Sequence, residues 1–227
     1  MYSEHYKAFS ENIGFAARIL HYYLRAGALV KDENDHYKAL NKNARFWNDY
    51  NFMALQTVII FLGKIFDDQR RTHNLTKLIE SLSNNLKHFN KSSLRKRKIK
   101  LSGEADWLDK YIEEAHELNA EDIELIKNEA DKASALWKKF EPLRHRFYAH
   151  NQMITNKERD ALFKGVTYDE LQNLVQMLLN IAHVLEQAEI NGQKPDFSDD
   201  YEEAIRRAEG EIDRLHTILI AGSNNQP

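Results

Sequence analysis

Apolar residues recur at three- and four-residue intervals along almost the whole chain, and no alternating strand pattern competes with them. The spacing predicts a first helix over about Ser3 to Ala26, with Phe9, Ile13, Ala16, Ala17, Leu20 and Leu24 on one face. Gly27 and the charged Lys31-Asp32-Glu33 stretch end it. A second helix is expected from about Asp35 to Phe66, on a stripe of Phe46, Tyr50, Met53, Thr57, Ile60 and Phe61. Around Val58–Leu62 that helix is apolar on every side, the mark of a central core element. Asn74 caps a third helix carrying Leu75, Leu78, Ile79, Leu82 and Leu86.

Beyond Ser102-Gly103 the pattern gives a short helix with Trp107, Leu108, Tyr111 and Ile112. Asn119 and Asp122 form a capping pair for a long helix through Ile123, Ile126, Ala130, Ala133, Leu136 and Trp137. Pro142 kinks or restarts that helix, because proline lacks an amide donor and clashes with the preceding turn. Thr167-Tyr168-Asp169-Glu170 is a capping box opening a helix with Leu171, Leu174, Val175, Leu178, Ile181 and Leu185. Asn191-Gly192 and Pro195 mark a loop. Ser198 caps a last helix whose stripe, Tyr201, Ala204, Ile205, Ala208, Ile212, Leu215 and Leu219, serves either the bundle or a dimer contact. The expected fold is all-α: an antiparallel bundle of long helices with no significant β-sheet. It forms a single domain over 1–222, with a frayed tail at 223–227.

Composition sharpens this. Only 8 Gly and 3 Pro in 227 residues leave little turn chemistry for a many-stranded sandwich or barrel. Zero Cys removes disulfide frameworks, thiolate metal sites and a cysteine nucleophile. The longest apolar run, Val58–Leu62, is far shorter than the roughly 20 residues of a spanning helix. The Met1-Tyr2-Ser3-Glu4-His5 start lacks a signal peptide's cationic and apolar regions, so a cytoplasmic protein without membrane partners is expected. Net charge is −3, so attraction to nucleic acid needs a local patch. One exists: between Lys87 and Lys100 stand seven Lys or Arg and no acid. Within this basic connector, about 87–103, Arg95, Lys96, Arg97 and Lys98 are expected to grip an RNA backbone, with a solvated connector as the plain alternative.

One short string stands out for chemistry: Leu143-Arg144-His145-Arg146-Phe147-Tyr148-Ala149-His150. Arg144 and His150 enclose five residues, and His145 follows the arginine. Histidine titrates near pH 6.5, so it can give or take a proton at neutral pH. Arginine stays charged and presents a forked donor array to phosphate oxygens. On an ideal helix, six residues turn by about 600° and rise about 9 Å, so Arg144 and His150 are not immediate neighbours. A long side chain, a distortion near Pro142 or a second subunit must bring them together. The ordinary alternative is that Arg144 and Arg146 pair with acids such as Glu141 and that His150 sits at a helix end.

This string resembles the signature of the HEPN superfamily (higher eukaryotes and prokaryotes nucleotide-binding), and Ala149-His150 matches its small-residue-then-His ending. Ile65-Phe66-Asp67-Asp68 followed by Asn74-Leu75-Thr76-Lys77-Leu78 resembles its abortive-infection-type subgroup. The departure is Gln152, where many members carry Asp. The resemblance covers roughly Phe46 to His150. It implies a metal-independent endoribonuclease of abortive-infection or toxin–antitoxin type. Arg144 and His150 would be catalytic, with His145 in support, and Arg146 and Tyr148 would contact substrate. It also implies RNA as substrate or ligand, a homodimer whose two motifs line one cleft, an antitoxin protein as a possible partner, and no cofactor or metal. The alternative is a non-catalytic HEPN-like module that binds nucleotide, RNA or protein. The lone Glu113-Glu114-Ala115-His116 lacks the second Glu-x-x-His of a di-iron bundle, and helix surface is its expected place.

Overall fold

Ten α-helices account for the described chain. The computed structural model describes residues 2–29, 35–69, 71–148, 155–198, 210, 213, 214 and 217. In order these helices are α1 (Tyr2–Leu29), α2 (Asp35–Asn41), α3 (Ala44–Phe66), α4 (Leu75–Asn84), α5 (Lys91–Ser102), α6 (Leu108–Glu114), α7 (Ala120–Trp137), α8 (Glu141–Leu143), α9 (Asn156–Lys164) and α10 (Tyr168–Asn191). A 3₁₀ turn, Leu86–Phe89, precedes α5, and a π-helical turn, Arg144–Tyr148, follows α8. Among the described residues there is no strand, and the fold is an all-α helical bundle.

The core is built where the apolar spacing places it. On α1, Phe9, Ile13, Ala16, Ala17 and Leu20 are buried, and on α10 Leu171, Leu174, Val175, Leu178, Ile181 and Leu185 are buried. Helix α1 packs on α3, α10 and α4, while α7 closes the bundle against α10 and α4. The capping pair at α7 is present, with Asn119 accepting from the amide of Asp122 and Asp122 from that of Asn119. The Thr167–Glu170 box at α10 is present in the same form. Gly192, at φ 58, closes α10 in the left-handed region that its missing Cβ permits.

Three local expectations change. The helix foreseen over Asp35–Phe66 is two helices, broken by a turn at 42–43. The buried face of α3 is Ala54, Val58, Ile59, Leu62 and Ile65, so the Phe46–Met53 stripe does not face inward. Phe46, Phe52 and Met53 are about half exposed, at 59%, 47% and 53%. Third, α9 is an element that periodicity alone did not reveal. It is short and buries no residue fully, so no apolar face advertised it, but Thr155 and Glu158 cap it as a complete box. The basic run, read as a connector, forms most of α5, capped by Asn90 through the amide of Ser93. The last predicted helix lies outside the described residues except at four positions, one of which, Asp213, pairs with Arg25 of α1 at 2.7 Å.

Candidate functional site

The motif segment is placed by the end of α7. Trp137 stacks on Phe66 at the end of α3, with ring centroids 5.3 Å apart and planes 9° from parallel. The chain then turns through Phe140, which is fully buried, and Pro142 restarts it in the first turn of α8, where its missing N–H costs nothing. From there the π-turn runs back along α3. Arg144 lies beside Gly63 and Asp67, whereas Tyr148 lies seven residues up the helix from Gly63, its carbonyl accepting from Gln56 Nε2 at 3.0 Å. Phe52, one turn further, touches the rings of both Phe147 and Tyr148.

Arg144 is held by packing against α3. Its stem crosses α3 at Gly63, and any Cβ there would run into Cδ and Nε. Its Nη2 stands 3.8 Å from Asp67 Oδ2, and both side chains are about one-fifth exposed. That separation makes an ion pair without a hydrogen bond. Its buried Nε–H meets no acceptor among the described residues. A guanidinium held this way is set in position, with Nε shut against α3 and Nη2 not committed to a hydrogen bond with Asp67. Asp67 itself sits in a firmly bonded loop: its carbonyl accepts from Thr72 Oγ1 at 3.0 Å and Asn74 Nδ2 at 2.6 Å.

The other motif residues divide. His145 Nε2 lies 3.6 Å from Glu141 Oε1, half exposed. Arg146 donates to Glu158 Oε1 at 3.0 Å, tying the π-turn to the cap of α9. That carboxylate is held below the usual glutamate range, first by the amide and hydroxyl of Thr155 and then by Arg146. Tyr148 is buried, and burial pushes its phenol up to about 12. It borders an apolar cavity of about 370 Å³ with Leu55, Ile59, Leu143, Phe163 and Leu171. His150 lies outside the described residues.

A family model, HEPN AbiU2, described as AbiU2, matches residues 2–215. The chain belongs to the AbiU2 family of HEPN domains. No curated protein and no solved structure matches it. The HEPN match spans nearly the whole chain, well beyond the Phe46–His150 stretch that carries the resemblance in the sequence. In this HEPN domain α5 is not gathered at the motif. Arg97 donates to the carbonyls of His88 at 2.7 Å and Glu189 at 2.9 and 3.1 Å, and Lys98 to Asn191 Oδ1 at 3.1 Å. Arg95 is paired with Asp109, and Lys96 is exposed. The structure therefore sets Arg144, His145, Arg146 and Tyr148 on one turn with their side chains sent to different partners, and of Arg95–Lys98 it seats Arg97 and Lys98 against the far end of α10. His116, expected on a helix surface, lies in the link between α6 and α7, 2.6 Å from the buried carboxylate of Asp122.

Sequence reasoning did not assign a role to Gly63, although a lone glycine directly after the apolar run of α3 and inside the helix is a signal, since it costs about 1 kcal/mol against alanine in a helix. Asp67 stood in the subgroup string without a role. Its function follows only from its position beside Arg144.

No helix among the described residues is long and apolar enough to cross a membrane.

Proposed function

We propose that this AbiU2-family HEPN domain is a metal-independent endoribonuclease of an abortive-infection or toxin–antitoxin system. Arg144 binds the scissile phosphate and His150 performs the acid–base work. The reaction that fits these groups is transesterification. A base takes the proton of the 2′-hydroxyl, the 2′-oxygen attacks phosphorus, and the 5′-oxygen leaves with a proton, giving a 2′,3′-cyclic phosphate and a 5′-hydroxyl end. One histidine can take the first proton. A second histidine or water supplies the other. The single observation that carries this reading is the position of Arg144: its stem seated on Gly63 and its Nη2 only loosely paired with Asp67. Electrostatic stabilisation by such a preset group is often the largest catalytic contribution.

A homodimer belongs to the same reading. Phe46, Phe52 and Met53 form an exposed apolar strip on α3, and Phe52 reaches the motif rings, so a second copy docked there would place the two motifs near each other. Purified wild-type protein should cut RNA to cyclic-phosphate ends in the presence of chelator, and Arg144→Ala and His150→Ala should each abolish cutting. Cleavage that persists in both variants overturns the enzyme reading. The non-catalytic alternative is favoured by the one-fifth exposure of Arg144 and its acid neighbour. It predicts RNA binding without cleavage, lost in Arg144→Ala and retained in His150→Asn.

A further inference from the structure

π-helical turns are rare and occur mostly as single turns beside α-helical ones, often at functional sites. The one at Arg144–Tyr148 is held by α3 at both of its ends. At its start the stem of Arg144 lies on Gly63. At its end Gln56 Nε2 donates to the carbonyl of Tyr148 at 3.0 Å, a contact between residues 92 positions apart. Gln56 and Gly63 are two turns apart on α3, so they share one face of it, separated by about 10.5 Å along the axis.

The two holds differ in kind. Packing at Gly63 limits where a side chain can lie, whereas the bond from Gln56 acts on the backbone. The last carbonyls of a helical turn find no amide within it, so a donor from elsewhere must satisfy them. A carbonyl only accepts, which fixes the side-chain amide as well: its nitrogen faces Tyr148. Because the peptide unit is planar, holding the oxygen of Tyr148 also holds the plane through which the chain leaves the turn. His150 is two residues further along the sequence. Phe52 also meets this turn, but through the rings of Phe147 and Tyr148, with centroids 6.0 and 5.8 Å away. Ring contacts tolerate a range of angles, while a hydrogen bond weakens steeply as it bends. Gln56 is partly buried, which shields its bond from competing water.

We propose that Gln56 is a positioning residue for the candidate site. Through the carbonyl of Tyr148 it sets the direction in which the chain departs toward His150, while Gly63 sets Arg144. This rests on the endoribonuclease reading and divides its labour between two points of α3: phosphate binding depends on Gly63, and turnover depends on Gln56. Gln56 itself touches neither the substrate nor the reacting atoms.

The test compares full-length wild type with three variants. Gln56→Met keeps the length of the side chain without a donor, Gln56→Glu replaces the donor by an acceptor, and Gln56→Lys restores a donor. All four residue types have similar helix propensity, so α3 itself is little disturbed. Single-turnover cleavage of a mixed-sequence RNA at saturating protein is measured beside binding of its 2′-O-methyl form, which lacks the nucleophile, at a temperature where circular dichroism shows each protein folded. Gln56→Met and Gln56→Glu should cut at least about tenfold more slowly, as misplacement of a reacting group does. Both should bind the 2′-O-methyl RNA within about twofold of wild type, since phosphate contacts dominate affinity. Gln56→Lys should recover most of the rate. Equal cutting by an active wild type and the Met and Glu variants overturns the proposal and leaves the endoribonuclease reading standing. Rate and affinity falling together, or a Gln56→Lys protein as slow as Gln56→Met, makes Gln56 a packing residue and also overturns it. A wild type that cuts no RNA overturns the endoribonuclease reading and this assignment with it.

Discussion

The stem of Arg144 lies directly on the Cα of Gly63, leaving no space for a methyl group between them. Gly63→Ala therefore has two opposed effects. Helix propensity improves by about 1 kcal/mol, and overpacking against Arg144 costs about 1–3 kcal/mol. In the wild-type background the variant should be neutral to destabilised and should lose RNA cleavage, because the guanidinium is pushed off its position. In an Arg144→Ala background the same change should stabilise by about 0.5–1 kcal/mol, since only the propensity gain remains. Thermal melts of the four proteins measure this sign reversal. A uniform effect in both backgrounds would remove Gly63 as the seat of Arg144.

Asp67 stands 3.8 Å from the guanidinium without a hydrogen bond. Asp67→Asn keeps an acceptor for the amide of Gln69 and leaves the backbone bonds of the loop intact. Stability should fall by less than about 1 kcal/mol, as expected for a loose, partly exposed pair. Cleavage should fall about tenfold or more, because small displacements of a positioned group carry large rate penalties. Single-turnover kinetics beside a melting curve separates the two.

Arg97 and Lys96 are neighbours in sequence with opposite expectations. Arg97 satisfies the carbonyls of His88 and Glu189, the latter near the end of α10. Arg97→Ala should cost about 1.5–3 kcal/mol, read as a drop of roughly 3–12 °C in Tm. Lys96→Ala should leave Tm within about 2 °C, as ordinary surface substitutions do. If α5 also touches RNA, Lys96→Ala alone should shallow the salt dependence of binding.

Alkali should reach the fold through its phenols. Burial raises Tyr148 to about 12, and raises Tyr23 and Tyr2 as well. A folded pKa above the unfolded value near 10 means that stability is full below pH 10 and declines as pH climbs from there through the folded values. Ultraviolet titration should show these rings ionising late, together with loss of helix. Tyr148→Phe should retain cleavage at neutral pH, because the phenol carries its proton there.

Acid should weaken the cap of α9. The carboxylate of Glu158 is depressed by the amide of Thr155 before any other partner, then by the Thr155 hydroxyl and Arg146. The support it gives to the helix is complete above the ordinary glutamate range and is lost as pH falls through its lower folded pKa. Carboxyl-resolved NMR should find that Thr155→Ala and Arg146→Ala each raise the Glu158 pKa but leave it below the usual glutamate range, because the backbone amide of residue 155 still donates to it in both.

Much of the architecture was written locally. The faces of α1 and α10 and the caps at Asn119 and Thr167 depend on side chains within a turn or two of each other, so periodicity and cap chemistry suffice to read them. The Thr155–Glu158 cap of α9 was equally local, but with no buried face behind it the apolar pattern gave no reason to look there. The inward face of α3 could not be read so directly. Phe46 and Met53 fit helical spacing as well as Val58 and Leu62 do, and only the neighbours packed on the helix decide which stripe is covered.

The same division runs through the candidate site. The sequence alone singled out the segment that holds Arg144, His145 and His150, and the family they signal. Tertiary structure decided that Arg144 rests on Gly63 beside Asp67, that Arg97 caps α10, and that Gln56 holds the carbonyl of Tyr148. Those contacts join residues far apart in the chain. They are set by how the helices stack, which depends on the sum of all the buried side chains and on no short stretch of them.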